Sequence, residues 1–312
     1  MQKLQNYNSI KILDCTLRDG GYYNNWKFSK ELISDYLYSM KEAKLDWIEF
    51  GFRFPKSSNQ KQSCAFASDE LISSFNYSEK LNIGIMINAS DFISDKDKGL
   101  KILKKIFISA KKSPVKLVRV ACHLEEVKKS EFIFKFLLKN GYKVGINLMQ
   151  ISEKNDAEIK MFSRYIKQFS FEVVYFADSL GSLFPSEIKK IIRALKSHWK
   201  GEIGFHAHDN MGNALENSLT ALREGATWID TTVLGMGRGP GNVQTEYLLM
   251  NLQKKMKKKI NLIPLLNTID IHFQKLKAKY QWGKNPFYFL AGQNKIHPTF
   301  IQEMLSDSRY TN

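Results

Sequence analysis

Eight short β-rich runs recur along the chain at a fairly even interval, and this rhythm limits the fold more than any other feature of the sequence. The runs are IKILDCTL, LDWIEFGF, LNIGIMIN, VKLVRVAC, YKVGINLM, FEVVYFAD, GEIGFHAH and TWIDTTVL. Between them lie segments with apolar residues at i, i+3 and i+4, the spacing of one helix face. SKELISDYLYSMKEAK opens with Ser29, a residue suited to capping, and SEIKKIIRALKSHW and GNALENSLTALREG repeat the pattern. Nearly continuous apolar strands alternating with helices predict a parallel sheet covered on both faces. Eight such units close on themselves as an α/β fold, the (β/α)8 TIM barrel. An open doubly wound sheet is the alternative, but no G-x-G-x-x-G follows the first run.

The rhythm stops near residue 250. We therefore expect a barrel over residues 1–250 and a short helical C-terminal extension over 251–312, which carries Trp282, Pro286 and Pro298. It is too short for a core of its own and should pack on the barrel.

A chain of 312 residues, 43% hydrophobic, can bury a large core. Its opening residues lack a signal-peptide apolar region, and no stretch approaches the roughly 20 apolar residues that span a bilayer. A cytoplasmic protein with no membrane partner is expected. Cys15, Cys64 and Cys122 are widely spaced and odd in number, which suits a reducing compartment and buried thiols. The net charge of +16 raises nucleic acid or an anionic substrate as partners. The lysines alternate with apolar residues at helical spacing, as on solvated helix faces, and no zinc-finger, RNP-like or RGG pattern accompanies them. No nucleic-acid function is expected.

Active sites of such barrels form at the C-terminal ends of the strands, and here almost every run ends in polar residues. The first leads to Arg18 and Asp19, the second passes Glu49 to Arg53, and the fourth ends near His123. Asn147 and Gln150 lie in or after the fifth, and Asp178 and Ser179 close the sixth. The seventh ends in HAHDN, whose His206 and His208, two apart on a strand, project to the same side. Closure of the barrel brings Asp19 and the GMGRGPGN loop, with Asn242, to the same mouth. Two imidazoles, a carboxylate and an amide leave coordination positions open, as a catalytic divalent cation requires: Mn2+ first, with Mg2+, Co2+ or Zn2+ as alternatives. Two histidines satisfied by ordinary hydrogen bonds are the plainer reading of the pair.

DCTLRDGG, RVACH, ADSLGS, HAHDN and GMGRGPGN, in this order and at barrel spacing, resemble the DRE-TIM metallolyase (HMGL-like) superfamily over roughly residues 10 to 250. The resemblance implies a metal held by Asp19, His206 and His208, joined in some branches by Asn242. It implies a 2-oxo acid bound at that metal, with Arg18 stabilising the enolate formed as a carbon–carbon bond breaks or forms. Ser179 matches a substrate-contacting serine and His123 the strand-four histidine of the family. Asp14 is expected to make hydrogen bonds below the site, and Glu49 to stand either behind it or within the barrel.

The glycine loop, followed by Asn242 and Glu246, most resembles the 4-hydroxy-2-oxovalerate aldolase branch. Two departures stand out. Where that branch has a histidine soon after Arg-Asp-Gly, this chain has Tyr22; a phenol with a reference pKa of about 10 suits a hydrogen-bond donor or acid better than a base. The C-terminal segment does not resemble the one that docks an acylating aldehyde dehydrogenase, so that partner is not expected. Arg238, with Arg53 and Lys56, should place positive charge at the mouth and favour an anionic acceptor. The function expected is a divalent-metal-dependent aldolase acting on pyruvate, or a related 2-oxo acid, and an aldehyde, in a homo-oligomer. A Claisen-type acyltransferase using acyl-CoA and a non-catalytic binding barrel are the rivals.

Overall fold

The computed structural model describes residues 9–55, 63–256, 259–307 and 309. Eight parallel strands close a barrel in sequence order: β1 Lys11–Asp14, β2 Trp47–Phe52, β3 Asn82–Asn88, β4 Val115–Cys122, β5 Lys143–Leu148, β6 Val173–Asp178, β7 Ile203–Ala207 and β8 Trp228–Thr231. Each falls within one of the eight runs. Closure is made by β1 on β8, with Leu13 opposite Asp230 and Asp14 opposite Thr231.

Alternation along the strands sorts side chains between two cores. Outward residues such as Ile12, Ile48, Val118, Val144 and Phe205 pack beneath the surrounding helices. Inward residues fill the barrel in layers: Leu13, Trp47, Leu117, Val173, Tyr175 and Trp228 form an apolar floor, and Phe52, Met86 and Ala121 line the opposite end. Gly204 is required by this packing, because a Cβ there would lie 2.5 Å from the ring of Tyr175. Between floor and rim the inward positions carry charge, and the site is built there.

The helices begin where their sequences supply caps. Ser29 accepts a hydrogen bond from Leu32 N at the start of Lys30–Glu42, and Pro185 opens Pro185–Lys196. The first run is shorter as a strand than its apolar pattern predicts. Asp14 Oδ1 accepts from Thr16 N at 2.9 Å, a turn between side chain and backbone that stops the strand. Thr16–Asp19 is consequently a short helical turn, so Arg18 and Asp19 stand just past β1 and not on it. Asp14 also accepts from Thr16 Oγ1, Tyr36 and Thr245, and so ties β1 to two flanking helices below the site.

After β8 the chain is helical. Ile263–Thr268, a π-helical turn Ile269–Phe273 and Gln274–Tyr280 run on from one another. They dock on Lys30–Glu42, where His272 Nε2 lies 2.8 Å from Asp35 Oδ2. Pro286–Gln293 and Pro298–Ser306 cross the mouth of the barrel. Trp282 Nε1 donates to Leu234 O (3.0 Å), Asn210 Nδ2 to Tyr288 O (3.3 Å) and Gly239 N to Gln302 Oε1 (3.1 Å). The extension therefore reaches the loops at the barrel's mouth as well as the barrel's side. Among the described residues no helix is long and apolar enough to cross a membrane, and all three cysteines are free and buried.

Candidate metal centre

Asp19, from the turn after β1, meets His206 of β7 and His208 just beyond it. His206 Nε2 and His208 Nε2 are 3.3 Å apart, and Asp19 Oδ2 lies 3.8 Å from the first and 4.0 Å from the second. Ligands each about 2.1 Å from one ion lie at most about 4.2 Å apart, so the three atoms can share a cation. Asn242 bridges antiparallel to His208, and its Nδ2 is 3.1 Å from His206 Nε2. Turned about its Cβ–Cγ axis, the same amide presents Oδ1 there.

Hydrogen bonding around these groups fits a cation. His206 Nδ1 lies 2.9 Å from Asp230 Oδ2; donating there, the ring keeps its Nε2 lone pair for a metal. Asp19 Oδ2 and Asn242 Oδ1 are buried acceptors without a protein partner, as a cation would complete, and Arg18 Nη2 is a buried donor left for an anionic ligand. Such orphaned atoms are costly in an interior unless a ligand completes them. Burial would raise the Asp19 carboxyl, but Arg18 first, and then His206 and His208, hold it well below the usual carboxylate range. Burial drives His208 down to about 3, so its ring is neutral, the state in which imidazole binds metal. The loop from Val233 to Asn242 leaves no room for a side chain at Gly237, whose Cβ would meet Asn242 Oδ1 at 1.7 Å and Asp19 Oδ2 at 2.9 Å.

Below the triad runs a chain of alternating charges. Arg18 Nη1 donates to Asp19 Oδ1 (2.5 Å) and its Nε to Glu49 Oε2 (2.7 Å). Arg119 grips the same Glu49 with Nε and Nη2 (2.7 and 2.6 Å) and Asp230 with Nη1 (2.7 Å). Removing such ions from water costs several kcal/mol each, and the two-pronged contacts offset it. The Asp230 carboxyl, which burial alone would raise, is held low by Arg119 and by the His206 hydrogen bond. Glu49 thus both fills the barrel and braces Arg18. Arg119 and Asp230 escaped the sequence reading, although a charge at an inward position of an apolar strand was their signal.

The remaining candidates are distributed around the rim. Arg238 lies over the ring of Tyr22, 3.8 Å from its centroid, and Tyr22 packs edge-on against Trp26. His123 begins a 3-10 turn, where its N donates to Glu126 Oε2 at 2.9 Å. Ser179 Oγ accepts from Gln150 N at 3.0 Å, holding two loops together. Arg53 does not serve the mouth: it bonds Ala67 O, Ile106 O and Asp69 Oδ1, among the helices outside the barrel. The bulge between Glu49 and Phe52 reverses its direction. Lys56 lies outside the described residues.

A family model described as HMGL-like matches residues 9–271. A 4-hydroxy-2-oxovalerate aldolase of Geobacillus genomosp. 3 is 31% identical over 79% of this chain and 71% of its own. Among solved structures, the N-terminal domain of a candidate aldolase from Bacteroides vulgatus superposes with a TM-score of 0.82. It is 31% identical, over 96% of this chain and 98% of that one. An HMG-CoA lyase from Bacillus subtilis, 18% identical, shares the fold with a TM-score of 0.67 over 90% of this chain and 96% of its own. The chain belongs to the HMGL-like family.

Proposed function

We propose that the chain is a divalent-metal-dependent aldolase, a carbon–carbon lyase that cleaves or forms a 4-hydroxy-2-oxo acid from pyruvate, or a related 2-oxo acid, and an aldehyde. One observation carries this: three potential ligand atoms within 4.0 Å of one another, beside a buried arginine nitrogen without a protein partner, at the mouth of an HMGL-like barrel. The aldolases named among its relatives support the same reading.

In this reading Asp19, His206 and His208 hold the cation and Asn242 adds an amide oxygen, with Mn2+ the first choice among Mn2+, Mg2+, Co2+ and Zn2+. Such an ion supplies Lewis acidity toward the oxygens of a 2-oxo acid. Arg18 is already oriented, since Glu49 and Asp19 occupy two of its nitrogens. Its Nη2 remains to donate to the oxygen on which charge develops as the carbon–carbon bond breaks. Tyr22 acts as hydrogen-bond donor or acid toward the aldehyde oxygen, and His123, Ser179 and Arg238 bind substrate. The catalytic unit is assigned to the barrel of residues 1–250, and residues 251–312 to an extension whose described helices Pro286–Gln293 and Pro298–Ser306 reach its rim. Free, buried cysteines suit the cytoplasm.

The test is incubation with Mn2+ and pyruvate in deuterated water. The pyruvate methyl proton signal should fade with wild-type protein and persist with Asp19→Asn. Wild-type protein that leaves the methyl protons untouched overturns the assignment.

A further inference from the structure

His297 is the N-cap of the last helix, Pro298–Ser306, and its ring is caught between two donors. Thr299 N donates to Nδ1 at 3.3 Å, and Arg238 Nη1 stands 3.4 Å from Nε2. A neutral imidazole has only one acceptor nitrogen. Burial, with Arg238 and His123 adding to it, pushes His297 down to about 4, so the ring is neutral near pH 7. In the tautomer in which Nδ1 accepts from Thr299, the ring proton sits on Nε2 and faces a guanidinium that also only donates. Two donors then point at each other with no acceptor between them, an arrangement that one oxygen carrying negative charge would satisfy.

The pair is held in place from several sides. Arg238 Cζ lies over the Tyr22 ring, and Arg238 makes no ion pair among the described residues. The next residue, Gly239, is fixed by Tyr23 Oη donating to its carbonyl at 2.6 Å and by its own N donating to Gln302 Oε1. One clamp comes from the loop after β1 and the other from the extension. His123 lies close enough to depress His297 further. Arg238 is also near enough to Asp19 and His208 to influence both, so the pair borders the metal centre without belonging to it.

We infer that Arg238 and His297 form an oxyanion subsite that binds a carboxylate or phosphate group on the acceptor aldehyde, making the C-terminal extension a substrate-selecting element of the active site. The inference rests on the aldolase reading for the identity of the bound molecule, not for the existence of the subsite. Both anions present oxygens that accept from the two donors, and the experiment separates them.

Calorimetric titration of the full chain with glycerol 3-phosphate, glycerate and glycerol reads the subsite without catalysis. One of the two anions should bind and glycerol should not. Affinity for that anion should fall at least tenfold in Arg238→Gln and in His297→Ser; serine keeps a helix cap but is too short to reach Arg238. Steady-state aldol addition to glyceraldehyde 3-phosphate, glyoxylate and acetaldehyde then reads selectivity. In both variants the ratio of kcat/KM for the favoured anionic aldehyde to that for acetaldehyde should fall at least tenfold. Wild-type protein that binds neither anion, or variants that leave affinity or the ratio unchanged, overturns the subsite. Binding without pyruvate proton exchange would leave the subsite standing and overturn the aldolase.

Discussion

His206 is held through its far nitrogen: Nδ1 lies 2.9 Å from Asp230 Oδ2 on the neighbouring strand, while Nε2 faces His208. The strand pairing makes this contact, because β7 and β8 run in register from Gly204 opposite Trp228, and both side chains then point inward two residues later. Asp230 fixes the tautomer and the angle of the ring, and Arg119 keeps Asp230 ionised.

Asp230→Ala should therefore weaken Mn2+ binding by about 10- to 100-fold, the usual effect of losing a carboxylate behind a metal-bound histidine. Titration followed by the electron paramagnetic resonance of free Mn2+ measures it. Affinity unchanged within twofold would mean that His206 needs no such support.

Arg119 is fully buried and holds two carboxylates, Glu49 and Asp230. Arg119→Met conserves much of the volume but leaves Glu49 with Arg18 alone and Asp230 with the His206 contact alone, so urea unfolding should show a loss of about 3–5 kcal/mol. Arg119→Lys should recover little, since a single ammonium cannot reproduce three directed contacts. A methionine variant as stable as the parent would show that the charges can be dispensed with.

Gly237 has no space for a methyl group between Asn242 and Asp19. Gly237→Ala should displace these two residues and reduce both Mn2+ affinity and pyruvate proton exchange by more than tenfold, with little change in far-ultraviolet circular dichroism. Equal loss of helix and of metal binding would point to misfolding instead.

The barrel was legible because apolar runs and helical spacing are local properties, and each of the eight strands lies inside its run. That Asp19, His206 and His208 come together was legible because alternation puts the two histidines on one side and barrel closure brings the turn after β1 to the same mouth. The supporting charges were harder to see. Arg119 and Asp230 are separated by 111 residues, and only the inward direction of both, at one level of the barrel, makes them partners. Arg53 misled because a bulge at Gly51 reverses the alternation that sequence spacing assumes. His297 gave no signal at all, since the path of the extension across the rim depends on contacts made by Trp282, Tyr288 and Gln302.

Glu246 provides a test through pH. Burial, opposed by the Leu234 N–H and reinforced by Asp14, raises its carboxyl from 4.5 to about 7. The folded chain then holds a proton that the unfolded chain releases, so stability is greatest below about 4.5 and declines as pH rises toward 7. The full shift corresponds to about 3 kcal/mol. Asp178, also raised to about 7 by burial, adds a decline of the same sign. Urea unfolding of the wild type should show lower stability at pH 8 than at pH 5 from these two groups. In Glu246→Gln, which cannot ionise, the difference should shrink by roughly half while the Asp178 part remains. An identical pH dependence in the two proteins would show that Glu246 does not carry a buried proton.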